Sequence, residues 1–266
     1  MTLDPFSGYT AIHREGWAVF APLEIITTQP AAALIDFAGV LPRQKVLDVA
    51  CGTGVAAITA ARRGAHVRAL DLSPDLLERA VENAAVSETE IEFIEGDVEN
   101  LPYNNSEFDI VLSQFGHMFA PRPQVALAEM LRVLKPGGTI AFSTWPPELY
   151  TGQMFALVSK YLPPPEGVAP PPQWGDPAIV RERLGDKVKN LLFDRQVMLT
   201  PCLSIPLVMM NFEKTAGPLV KLHEKLSVED PAALKRFRSE FADTISKYVK
   251  GNTLYQHFLM TRAVKV

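Results

Sequence analysis

Three aspartates stand where an acidic side chain is costly unless it holds something. Asp48 lies inside the apolar run Val46, Leu47, Val49, just before Cys51-Gly52-Thr53-Gly54. Asp71 closes the run from Val67 to Leu72, 19 residues past Gly52, and Asp97 follows a third run through Ile91, Phe93 and Ile94. A carboxylate taken out of water must meet a cation or hydrogen-bond donors. An acid about 20 residues beyond a Gly-x-Gly turn suits a pair of ribose hydroxyls. Gly52 and Gly54 have no Cβ, so the backbone can turn left-handed and a ligand can lie directly on it. A helical pattern starts at Val55, so the turn is expected to aim free backbone N–H groups at that ligand.

The elements that must carry these residues follow from the hydrophobic periodicity. Apolar runs at Val46–Val49, Val67–Leu72, Ile91–Ile94, Phe108–Leu112 and Thr139–Thr144 read as strands, with helical spacing over Val55–Arg63, Pro74–Ala84 and Gln124–Val133. Ser73 is expected to cap the helix that Pro74 opens. Right-handed crossovers make such strands parallel and put their C-terminal ends on one edge. Before them, residues 1–44 form an aromatic helical flap, broken by Pro22 and Pro30 into short helices, the last from about Gln29 to Ala38. After Trp145 the alternation fails. Segments 146–190, with two triple-proline runs, and 201–230, a loop and a helix, read as insertions. Closing strands are expected at 191–200 and 252–265, the second following a long helix that starts at Pro231 and ends at Gly251-Asn252.

Length and composition bound the rest. The 266 residues, 47% hydrophobic and 21% charged, suit one soluble α/β domain spanning the chain. A net charge of −4 gives no attraction to phosphate backbones or anionic lipid, so neither a nucleic acid nor a membrane is expected as a partner. Two cysteines, one of them in the glycine turn, suit a reducing cytoplasm. The five histidines and two cysteines have no zinc-like spacing, so no metal is expected.

The glycine turn alone leaves NAD, FAD and S-adenosylmethionine open. Asp48 would repel a pyrophosphate but attract the ammonium of an amino-acid tail, and Asp97 with the Val98 N–H suits an adenine edge. No tyrosine precedes a lysine by four positions, the spacing of a short-chain dehydrogenase. The stretches DVACGTG, LDLSPDLLERA, EGDVENLPY, FDIVLSQ and MLRVLKPGG, in this order over residues 45–145, resemble the successive motifs of the class I S-adenosylmethionine-dependent methyltransferases, nearest to the quinone-biosynthesis C-methyltransferases and related small-molecule enzymes. An NAD(P)-dependent oxidoreductase and a non-catalytic S-adenosylmethionine-binding protein are the alternatives.

The resemblance implies a doubly wound, mostly parallel seven-stranded sheet with helices on both faces and the last strand inserted antiparallel. It implies a cofactor set along four strand ends: Asp48, Ala50, Cys51, Gly52, Thr53 and Gly54; then Asp71 on the ribose and Leu72 on the adenine face; then Asp97 with Val98 on the adenine edge; then Ser113, Gln114 and Phe115, with backbone carbonyls toward the methionine amine. S-adenosylhomocysteine is the implied product. Methyl transfer from a sulfonium mainly needs alignment and exclusion of water, with a base only for an acceptor that holds its proton tightly. His117 is the candidate base. Tyr9, His13, Trp17, Phe119, Trp145 and Trp174 are the candidate acceptor pocket for a small molecule, in a monomer or homodimer.

Overall fold

A computed structural model describes residues 5–266; the first four residues of the expected flap lie outside the described residues. Strands β1 (Lys45–Val49), β2 (His66–Asp71), β3 (Ile91–Glu95), β4 (Phe108–Gln114) and β5 (Leu134–Thr144) pair in parallel. The sheet continues through β6 (Val188–Pro201), the two-residue β7 (Val249–Lys250) and β8 (Thr253–Lys265). Its order is β3-β2-β1-β4-β5-β8-β6, with β8 antiparallel to both neighbours and β7 folded back on β8. The sheet therefore has the expected mostly parallel plan with the last long strand inserted antiparallel, plus β7 as an eighth strand. Gly251 and Asn252 belong to the β7–β8 turn, where Gly251 takes φ +59°, and not to the end of a helix.

Helices α1 (Ser7–Trp17), α2 (Glu24–Ala38), α3 (Val55–Ala61), α4 (Pro74–Val86) and α5 (Pro123–Val133) accompany the parallel half. Helices α6 (Tyr150–Tyr161), α7 (Pro177–Leu184), α8 (Ile205–Thr215), α9 (Gly217–Glu229) and α10 (Pro231–Ser246) belong to the second half. Pro30 does not break the flap: α2 runs through it from Glu24, six residues earlier than Pro30. Proline removes one backbone hydrogen bond, and the buried face of Ala31, Leu34, Ile35 and Ala38 packs this helix into the core despite that loss. The segment read as a loop and one helix after residue 201 is two helices, α8 and α9, separated at Ala216.

The central strands are dry on both sides. Val46, Leu47, Val49, Val111, Leu112, Ile140, Ala141 and Phe142 are fully buried, as expected of strands covered by helices on both faces. Among the described residues no single helix is long and apolar enough to cross a membrane.

Candidate cofactor and acceptor site

One cavity runs along the C-terminal edge of the parallel strands and is roofed by α1. Its lining joins Asp48 in β1 with Ala50, Cys51, Gly52 and Thr53 after it, Asp71 and Leu72 at the end of β2, Asp97 and Val98 after β3, and Gln114 and Phe115 at the end of β4. These residues are far apart in the chain, and the parallel register brings their strand ends together.

The glycine turn spends most of its donors internally. Cys51 N–H donates to the Leu70 carbonyl at 3.0 Å, Gly54 N–H to the Cys51 carbonyl at 2.9 Å, and Gly52 N–H to Asp71 Oδ2 at 2.8 Å. The turn is thus a brace between β1 and β2 rather than a ring of free N–H groups. Asp71 Oδ1 accepts from Ser73 N–H at 2.9 Å, so Asp71 ties down the start of α4, while the Ser73 hydroxyl makes no capping bond. Each Asp71 oxygen keeps a second lone pair and can still accept a ribose hydroxyl. The two glycines have different reasons. At Gly52 (φ +55°) an added Cβ would meet nothing within 4 Å; at Gly54 (φ +81°) it would come 3.1 Å from the Ala80 Cβ and 3.3 Å from the Phe93 ring. Gly52 faces the cavity, whereas Gly54 lies outside its lining and lets the turn settle on α4 and β3.

Asp48 is fully buried, and among the described residues neither carboxylate oxygen has a side-chain partner or a well-formed hydrogen bond; only the Ala57 N–H lies near enough to temper the rise in its pKa. Burial, reinforced by the nearby Asp71 carboxylate, pushes its carboxyl up to about 8. An orphaned acid on the cavity wall fits a positively charged amine.

Other residues of the expected cofactor set also brace the loops through their side chains. Ser113 lies outside the cavity lining; its hydroxyl donates to the Val49 carbonyl at 2.9 Å and accepts from His117 N–H at 3.0 Å. Gln114 donates from Nε2 to the Thr27 carbonyl at 2.8 Å, joining β4 to α2. Phe115 takes φ +60° and stacks on Trp145, ring centroids 3.9 Å apart and 9° from parallel. Asp97 Oδ1 accepts from Glu99 N–H at 2.8 Å.

Two candidates for the reacting end lie elsewhere. His117 is fully buried between Phe142 and Trp174, with centroids at 4.6 and 4.7 Å, and neither it nor Trp174 lines the cavity. Burial, with a smaller push from Arg183, lowers its imidazole to about 3, so it is neutral and shielded from any acceptor there. The cause is the proline-rich segment, which lays Trp174 over it. Tyr9, His13, Trp17, Phe119 and Trp145 do line the cavity, joined by Phe20, Thr151, Met154, Phe155, Met198, Phe212 and Gln256. The last six come from α6, β6, α8 and β8, elements whose pairing with the cavity no local sequence pattern reveals. His13 sits 4.3 Å from the Tyr9 ring and 5.8 Å from the Phe119 ring. Burial lowers His13 to about 4 and raises Tyr9 to about 12, so both are uncharged near neutral pH.

The roof is anchored at several points. Arg14 on α1 pairs with Glu95 at 2.9 Å, and Gly16 rests on Gly217, where an added Cβ would approach the Gly16 carbonyl carbon to 2.9 Å. Glu24 on α2 pairs with Arg79 at 2.6 Å and accepts from Asn83 at 2.8 Å; Asn83 also donates to the Thr53 carbonyl at 3.1 Å. The flap, α4 and the glycine turn are therefore one connected network.

A methyltransferase-domain family model matches residues 46–138, the stretch that runs from β1 to the start of β5 and includes all four cofactor loops. The chain belongs to the class I S-adenosylmethionine-dependent methyltransferases. An uncharacterised protein of Mycobacterium tuberculosis is 32% identical to this methyltransferase over 260 residues, 96% of the chain and 94% of the relative. Demethylmenaquinone methyltransferase of Renibacterium salmoninarum is 37% identical over 129 residues, covering 48% of this chain and 52% of that protein. Among solved structures, YcgJ from Bacillus subtilis superposes with a TM-score of 0.60 at 16% identity, covering 89% of this chain and 98% of that one. Phosphoethanolamine N-methyltransferase 2 of Haemonchus contortus, in complex with phosphomonomethylethanolamine and S-adenosylhomocysteine, gives 0.56 at 18% identity, covering 89% and 52%. These two likenesses concern the fold. The cofactor of the enzyme is S-adenosylmethionine, and the orphaned Asp48 carboxyl, the Asp71 lone pairs and the open face of Gly52 suit it.

Proposed function

We propose that the enzyme methylates a small molecule held beside the cofactor in the same cavity, under α1 and against α6 and α8. The observation that carries this reading is the division of the lining. Its acids, Asp48, Asp71 and Asp97, gather at the ends of β1 to β3, while Trp17, Phe119, Met154, Phe155 and Phe212 form an apolar end. Asp48 would hold the methionine ammonium, Asp71 the ribose hydroxyls, and Asp97 with Val98 the adenine edge. Bound S-adenosylmethionine supplies a methyl group on a positively charged sulfur, which a nucleophile takes by in-line displacement while the sulfur keeps the bonding pair.

The protein's share is alignment and the exclusion of water. The aromatic wall supplies both, and the Arg14–Glu95 and Glu24–Arg79 pairs hold the roof in place. His117 is not given a role in proton transfer, since it lies outside the cavity. The neutral His13 imidazole is the titratable nitrogen on the acceptor side. Its low basicity favours an acceptor that needs little help to lose its proton. The free cysteines and the acidic balance of the chain support a cytoplasmic setting without a nucleic-acid partner.

The test is a screen of small-molecule acceptors for conversion of S-adenosylmethionine to S-adenosylhomocysteine, confirmed by mass shift of the acceptor. Turnover of a small molecule that is lost with Asp71→Ala supports the proposal. Methylation of protein or nucleic acid, with no small-molecule acceptor, overturns it.

A further inference from the structure

The apolar end of the cavity holds polar groups that the folded chain leaves without partners. The Trp17 indole Nε1 on α1 and the Thr151 hydroxyl on α6 are both buried and make no hydrogen bond among the described residues. Thr151 is 6% exposed, and both residues line the cavity. They belong to one wall: Phe119 packs between Trp17 (centroids 5.0 Å) and Phe155 (5.5 Å), and Phe155 lies one helical turn beyond Thr151. An indole N–H can only donate, and a threonine hydroxyl can donate or accept. Leaving such groups unpaired away from water is costly.

Charge is missing from the same wall. Among the described residues the lining contains no lysine, its one arginine, Arg14, is paired with Glu95, and its three aspartates stand at the cofactor loops. A phosphate or carboxylate on the acceptor would find no counter-charge there, and burying it unpaired would be prohibitive.

We infer that Trp17 and Thr151 are the specificity donors of the acceptor site, and that the acceptor is an uncharged, flat, mainly apolar molecule whose oxygen takes their hydrogen bonds. The inference rests on the proposed small-molecule function and narrows it to a ligand chemistry. Trp17 and Thr151 orient the acceptor and take no part in breaking the sulfur–methyl bond.

The experiment compares 2-naphthol with naphthalene, which differ only in the hydroxyl, binding to protein saturated with S-adenosylhomocysteine. Phosphoethanolamine and sarcosine serve as charged probes. Native protein is expected to bind 2-naphthol more tightly than naphthalene and to bind neither charged probe. Trp17→Phe and Thr151→Val should each lower the 2-naphthol to naphthalene affinity ratio roughly 5- to 10-fold, the size of one hydrogen bond. Using the ratio separates the lost hydrogen bond from lost packing, and Thr151→Val preserves the side chain's shape should Trp17→Phe fold poorly. Equal affinities for the two neutral probes, a ratio unmoved in Thr151→Val, or preferential binding of a charged probe overturns the inference. Failure to bind S-adenosylhomocysteine at all would instead strike at the proposed function beneath it.

Discussion

Gly116 lies so close to Ala50 that a Cβ added at 116 would stand 2.4 Å from the Ala50 carbonyl oxygen and 2.6 Å from its Cβ. The loop after β4 is thereby pressed onto the loop after β1, and both line the cavity. Gly116 has an ordinary negative φ of −100°, so space, not backbone conformation, demands glycine there. Ala50 itself is held at φ +52°. Gly116→Ala must push the two loops apart. A loss of roughly 1–3 kcal/mol in stability, the cost of overpacking, is expected together with weakened cofactor binding. Gly52→Ala, with open space around it, should cost only the left-handed strain of about 1–2 kcal/mol. Chemical denaturation of both variants checks the order.

Asp71 has two tasks that one substitution separates poorly but two measurements separate well. Asp71→Ala leaves the Gly52 and Ser73 N–H groups without their acceptors, which should cost about 1–3 kcal/mol each in stability. It also removes the proposed ribose ligand. Thermal denaturation should show a lowered Tm in the unliganded variant, and calorimetry a further loss of S-adenosylhomocysteine affinity under conditions where the variant is folded. A variant with native stability would show that the brace is not needed.

His117 should matter to stability and not to turnover. His117→Leu keeps most of the volume between Phe142 and Trp174 and removes two buried nitrogens that have no partner. Its stability at pH 7 is expected to stay within about 1.5 kcal/mol of native, as for volume-conserving core swaps, with kcat retained. The pH dependence is more specific. The folded imidazole is held at about 3, below its ordinary 6.5, so the unfolded chain binds more protons between those values. Native protein therefore loses stability as pH falls from about 6.5 toward 3, and the His117→Leu variant should lose less over that window. His13, held at about 4, contributes a like slope that remains in the variant.

The limits of what the residues foretell have physical causes. The five parallel strands and their loop aspartates are legible because a doubly covered strand is a nearly continuous apolar run and its end is marked by small or acidic residues. Pro30 misleads because proline's local preference is outweighed by the buried face around it. Ser73 misleads because its own N–H is tied to Asp71, two residues earlier, while its hydroxyl makes no bond to the first turn of α4. His117 looks catalytic beside the β4 loop until Trp174 folds over it, a contact made by a segment whose prolines announce a loop without saying where the loop goes. The acceptor wall is written across α1, α6, β6, α8 and β8, and only the closed sheet gathers it.

Asp48 provides the most direct test of the account. Its carboxyl has no cationic or side-chain partner among the described residues and is held up near 8 by burial and by Asp71, against the pull of the Ala57 N–H, so it is protonated at pH 7 before the cofactor arrives. Asp71 and Cys51 are the titratable neighbours that face it across the turn, and neither brings a positive charge. An ammonium placed against Asp48 favours its ionised form and drives the proton out. Calorimetric titration of S-adenosylhomocysteine at pH 7, in buffers of different ionisation enthalpy, should show release of most of one proton, and affinity should strengthen as pH rises toward 8. In Asp48→Asn the release should vanish and the affinity should be weaker and flat over the same range. Tight binding with no proton release by the native protein, or the same release from Asp48→Asn, would contradict the placement of the methionine ammonium on Asp48.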